Sequence, residues 1–140
     1  MNDDMVPLTK TAIILLDPLP LWKKLNVTAF LATGIGDASP EAMSEIYIDA
    51  DERQYTRLFG QPIVVFSASQ DTLLRALRVG QERGLTCSAY VSAMFDQSHG
   101  EEGRRVFRAE HAHRPDLVGL AVRGPRKDVD KAIKGARLHP

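Results

Sequence analysis

Four short apolar runs constrain this chain most. "TAIILL" (Thr11 to Leu16), "QPIVVFSA", "LTCSAYVSA" and "LVGLAVRG" are β-branched and nearly unbroken in hydrophobicity. A strand with one wet face alternates, whereas a continuous run belongs to a strand covered on both sides. The spacing therefore predicts strands near 11–16, 62–67, 86–91 and 117–123. Segments of helical period lie between them, near 21–33, 70–83 and 126–136. Strands alternating with helices imply a layered α/β domain around a mixed sheet.

Local signals punctuate this plan. "DPLP" breaks the first strand, and Leu21, Leu25, Thr28, Ala29 and Ala32 form one stripe of the first helix, which Gly34 and Gly36 are expected to end. Ser39 before Pro40 reads as an N-cap opening a loop or short helical turn. "EIYIDADERQYTRL" reads as a hairpin with "DADE" at its tip. Ser69 caps the second helix and Gly84 closes it, while Pro125 opens the last. A short helix is expected within the polar stretch that starts at Asp96. With 140 residues and no linker or repeat, one domain is expected, with its core over about 10–139.

Charge and cysteine content narrow the setting. The formal net charge is +0, which supplies no broad attraction to nucleic acid or membrane. The single cysteine, Cys87, has no internal partner and reads as a small buried hydrophobe. The amino-terminal "MNDDMVPLTK" lacks the build of a signal peptide, and no apolar run approaches the roughly 20 residues that span a bilayer. A cytoplasmic location and no membrane contact are expected.

Candidate chemistry is sparse. The head of the first helix, "WKKLN", carries Lys23 and Lys24, either as a solvated first turn or as a grip on an anion. Trp22 is expected to be partly buried there, with Lys24 the lysine that faces a site. Arg123, Arg126 and Lys127 at a strand-to-helix junction form either a second anion patch or a charged helix start. Asp49 and Asp51 fit a turn as well as a cation site, and His111 and His113 lack a third ligand. No cofactor motif and no metal site are predicted.

The stretches "TAIILLDPLPLWKKLNVTAFLATGIG", "YIDAD", "PIVVF" and "LVGLAVRGPRKDVDKAIKGARLH" resemble a bacterial family known only as domain of unknown function number two thousand. That family resembles the type II peptidyl-tRNA hydrolases. The resemblance implies a three-layer α/β/α sandwich with a mixed four-stranded sheet, and a homodimer, toward which Phe59, Met94 and Phe95 are expected to be exposed. In the hydrolases a lysine precedes a glutamine and a histidine on the first helix. Lys24 (or Lys23) matches the lysine, but Thr28 stands for the glutamine and Leu31 for the histidine. After the third strand, Ala93, Phe95 and Gln97 stand for the aspartate, glycine and threonine. Asp96 and Ser98 are the substitutes, shifted by about three residues. The candidate catalytic residues are thus Lys24 and Asp96, and the candidate ligand-binding residues Lys24, Asn26, Thr28 and Arg126. Three functions remain open: a protein of unknown biochemistry with poor peptidyl-tRNA hydrolysis, an active hydrolase of peptidyl-tRNA or a related acyl ester, or a non-catalytic dimeric module that binds an anion, nucleotide or RNA.

Overall fold

The computed structural model describes residues 8–97 and 100–140. Its elements run β1 (Thr9–Leu16), α1 (Leu21–Ala38), a 3-10 turn (Pro40–Ala42), β2 (Tyr47–Ile48), β3 (Gln54–Tyr55), β4 (Ile63–Ala68) and α2 (Gln70–Glu82). There follow β5 (Thr86–Val91), a 3-10 turn (Ser92–Asp96), α3 (Glu101–Arg108), β6 (Leu117–Pro125), α4 (Arg126–Ala132) and β7 (Arg137–Leu138). The main sheet has the order β5-β6-β1-β4-β7, and β2 and β3 form a separate hairpin. β4 runs parallel to β1, β6 runs antiparallel to β1 and β5, and β7 runs antiparallel to β4.

The sheet is mixed, as expected, but it has five strands and not four. Gly135, with φ +95°, turns the chain after α4, and two residues then pair back as Ser67↔Arg137 and Phe66↔Leu138. The same turn ends α4 at Ala132, short of the expected 136. A two-residue strand has no hydrophobic period to read, so pattern alone misses it.

β1 is buried on both faces, as its unbroken apolar run requires. Ala12 and Ile14 join the core under α2 and α4, with Leu73, Leu77, Val122 and Val129. Ile13 and Leu15 join the core under α1, with Val27, Leu31, Ile35, Tyr90 and Ala121. Successive strand residues point to opposite faces, so one strand serves both cores. Ser69 caps α2 by accepting from Thr72 N–H at 3.2 Å, and Gly84, at φ +69°, follows its end. Ser39 takes the N-cap position of its 3-10 turn without a side-chain capping bond.

α1 departs from the expectation in two ways. It continues through Gly34 and Gly36 to Ala38. A Cβ on Gly34 would lie 2.7 Å from Ser88 Oγ, and one on Gly119 of β6 would lie 2.5 Å from Val27 Cγ1. Gly34 therefore admits close approach of helix to sheet and does not stop the helix. The stripe that faces the core is Val27, Leu31 and Ile35, while Leu21 and Leu25 of the expected stripe are 68% and 64% exposed. Both stripes are apolar, and nothing local ranks them. Phe59, Met94 and Phe95 are half-buried against the α1 core and not exposed.

Candidate functional site

β1, β4 and β5 point their carboxyl ends to one edge of the sheet, where α1 begins and β7 returns. Ligands of open α/β sheets favour this edge. Two adjoining clefts open there. One, of about 510 Å³, lies between α1 and the β4–β7 pair; Leu21, Lys24, Leu25, Thr28, Val65 and His139 contribute to its wall. The other, of about 580 Å³, is bounded by Asp17, Ser67, Ser69, Thr72 and Arg137.

Lys24 leads the first cleft. Its Nζ lies 3.3 Å from His139 Nε2. A lysine ammonium can only donate, so Nε2 accepts, and the remaining ring proton sits on Nδ1. That assignment fits the second contact, Nδ1 to Pro140 O at 3.1 Å. The His139 backbone N–H donates to Val65 O at 3.0 Å, so pairing of β7 with β4 sets the position of the ring. Thr28 lines the same cleft, and its hydroxyl donates to Lys24 O at 2.7 Å.

Asp17 governs the second cleft. Ser67 Oγ donates to Asp17 Oδ1 at 2.7 Å, and Arg137 Nη2 donates to Oδ2 at 3.1 Å. The Ser67 hydroxyl does most to hold the Asp17 carboxyl below its ordinary range; desolvation, the next largest effect, opposes it, and Arg137 and then Lys24 add to the lowering. Asp17 is thus an acceptor with one hydrogen bond already on each carboxylate oxygen.

The other predicted residues fall elsewhere. Asn26 is half-buried two residues beyond Lys24, about 200° round the helix, on the side of Trp22 and Phe30. Lys23 lies over the rings of Phe95 (4.5 Å) and Trp22 (5.6 Å). Trp22 is 63% exposed, edge-on to Phe95, and not partly buried as expected. Asp96 is exposed, follows Phe95, whose ring carries Lys23, and does not line the cleft that holds Lys24. Ser98 lies outside the described residues. Arg126 opens α4 next to Pro125, which pairs with Thr9 at the start of β1. It therefore stands about a strand length from Lys24, and the two do not share a site. Arg123 is buried on β6 and separate from any surface patch with Lys127.

The remaining motifs take structural roles. Asp49 accepts from Asp51 N–H, Arg53 N–H and the Tyr55 hydroxyl, which closes the β2–β3 hairpin. The rings of His111 and His113 are 6.3 Å apart, and among the described residues no three His, Cys, Asp or Glu side chains gather to hold a metal ion. Cys87 is half-buried against the α2–α4 core, and burial raises its thiol pKa. No described helix is long and apolar enough to cross a membrane.

Asp17, Ser67, Arg137 and His139 escape a reading by sequence. Asp17 had one usable signal, its place just after the first strand. His139 had none, because 115 residues separate it from Lys24 and a two-residue strand delivers it.

The comparisons agree with the architecture. A protein of unknown function from Agrobacterium tumefaciens strain C58 has a solved structure that superposes with a TM-score of 0.92 at 41% identity, covering 96% of this chain and 100% of that one. No curated protein matches the chain at a significant level. The model of the family "Protein of unknown function (DUF2000)" matches residues 9–140, and the chain belongs to that family.

Proposed function

We propose that the protein binds a small anionic ligand with an apolar portion in the cleft beside the head of α1, and that it is not an efficient peptidyl-tRNA hydrolase. The observation that carries this reading is the Lys24–His139 pair, 3.3 Å apart in a cleft otherwise walled mostly by Leu, Ile and Val side chains. An ammonium backed by an imidazole suits a carboxylate or phosphate, and the apolar wall suits the rest of the ligand.

In this proposal the fold is of the type II peptidyl-tRNA hydrolase kind, but the hydrolytic equipment is lacking. Hydrolysis needs a positioned water, a group to take its proton and donors for the oxyanion. Leu31, at the histidine position, is 2% exposed against the sheet and carries no proton chemistry. Ala93 cannot orient water, and the Thr28 proton is engaged with the helix backbone. Attraction for tRNA is weak too, since Lys23 and Lys24 stand at one edge of the sheet while Arg126 and Lys127 stand at the other.

Calorimetric titration with small carboxylates and phosphate monoesters tests the site. Lys24→Ala should weaken binding by about 1–2 kcal/mol, typical of a charge-assisted hydrogen bond. Lys23→Ala should change little, because its ammonium rests on two rings. Equal effects from both, or from neither, would reduce the head of α1 to a solvated turn. Release of peptide from peptidyl-tRNA should stay below about 0.1 per second, roughly a hundredth of a median enzyme. A faster rate that falls on Lys24→Ala would establish the hydrolase reading instead. We further propose a cytoplasmic homodimer, as the likeness to the hydrolase fold implies. A single sedimenting species near 15.5 kDa would refute the dimer.

A further inference from the structure

A buried cation lies at the other end of α1, away from Lys24. Arg123 on β6 is 7% exposed. Its Nη1 reaches Gln61 Oε1 only at 3.5 Å, and that oxygen already accepts from Thr9 Oγ1 at 3.0 Å. Among the described residues its nearest carboxylate is Glu41 Oε2 at 4.0 Å, on a side chain that is 73% exposed. Phe59 lies under the guanidinium at 5.4 Å. Guanidinium offers five N–H donors, and among the described residues only one hydrogen bond is formed here, while the unpaired nitrogens keep some contact with solvent. Directly across the β1–β6 pairing stands Thr11, 1% exposed, whose Oγ1 has no hydrogen-bond partner. A cation with donors to spare and a buried unpaired hydroxyl thus face each other on the sheet.

That patch adjoins a cleft. Phe59 and Gln61, which both touch Arg123, and Ile63, which pairs with Thr11, line a space of about 570 Å³. Its other walls include Ala32, Met43 and Leu58, and the rim bears one charge of each sign, Asp37 and Arg57. The volume falls in the usual range for small-ligand pockets.

We infer that this cleft is a second ligand site, taking a linear monocarboxylate whose carboxylate displaces Glu41 from Arg123 and whose chain lies along Met43, Leu58 and Ile63. The resident group names the class: Glu41 already presents a carboxylate to Arg123, but from a solvated side chain and beyond hydrogen-bond distance. A planar two-oxygen group also fits the guanidinium fork.

The test is calorimetric titration of the full chain with octanoate, hexanoate and inorganic phosphate. Octanoate should bind saturably, hexanoate more weakly, and phosphate at least about tenfold more weakly, having no chain. Arg123→Met should weaken octanoate at least about tenfold. Replacement of a buried ion by an apolar side chain of similar length is often tolerated by a fold. Glu41→Gln, at an exposed position, should tighten octanoate about two- to fivefold by removing the competitor. Lys24→Ala should leave octanoate unchanged, which separates this site from the one proposed above. The inference is overturned by absence of saturable octanoate binding, by unchanged affinity in Arg123→Met, or by loss of octanoate in Lys24→Ala. Should Arg123→Met fail to fold, Glu41→Gln decides, and no gain in affinity overturns it.

Discussion

Replacement of Gly119 by alanine tests how tightly α1 is seated. A Cβ there would lie 2.5 Å from Val27 Cγ1, 3.1 Å from Leu31 Cδ1 and 3.5 Å from Leu15 Cδ2. Carbon atoms rest at about 3.5–4.0 Å, so the first contact is roughly 1 Å too short. Val27 is 0% exposed and sits in a helix, where valine holds one rotamer, so it cannot swing aside. The helix or the strand must move. Overpacking of this kind costs about 1–3 kcal/mol, and loss of glycine's freedom in the unfolded chain returns about 0.4–1 kcal/mol. The expected net loss is about 1–2 kcal/mol. With about 2.1 cal/mol/K of unfolding entropy per residue, that is a fall in Tm of roughly 3–7 °C, measurable by calorimetry. Because α1 carries Lys24 while His139 follows β7, the same shift should disturb their 3.3 Å contact and weaken anion binding. Val27→Ala deletes the clashing methyl, so the double variant should be more stable than the sum of the singles by about 1 kcal/mol or more. A neutral Gly119→Ala, or strict additivity, would refute the close seating.

Two further outcomes are expected. The Asp17 carboxyl is held below its ordinary range, so its stabilising effect is complete above the unfolded value near pH 4 and is lost as pH falls through the lower folded value. Acid titration of stability should therefore be shallower below about pH 4 in Asp17→Asn than in the parent, and identical slopes would count against the Ser67–Arg137 cradle. Burial raises the Cys87 thiol, so stability tied to it is present below the free thiol value near pH 8.5 and declines as pH rises through the higher folded one. Alkylation at pH 8 should be about tenfold or more slower in the native protein than in the denatured chain, and equal rates would show an exposed thiolate.

The layered α/β plan was legible because it rests on short-range physics. A run such as Thr11–Leu16 has no polar face to turn to water, so it must be covered twice, and Ser69 and Gly84 mark helix ends through bonds and backbone angles within a few residues. The head of α1 was legible as a lysine pair for the same local reason. Tertiary structure decided the rest. Whether Leu25 or Leu31 meets the sheet depends on where Gly34 and Gly119 let α1 settle, and no local rule ranks two apolar stripes. Lys24 gains His139, Asp17 gains Arg137, and Arg123 comes to lie across from Thr11, only after strands distant in sequence pair. Such contacts follow from sheet register, which side-chain periodicity constrains to a face but not to a partner.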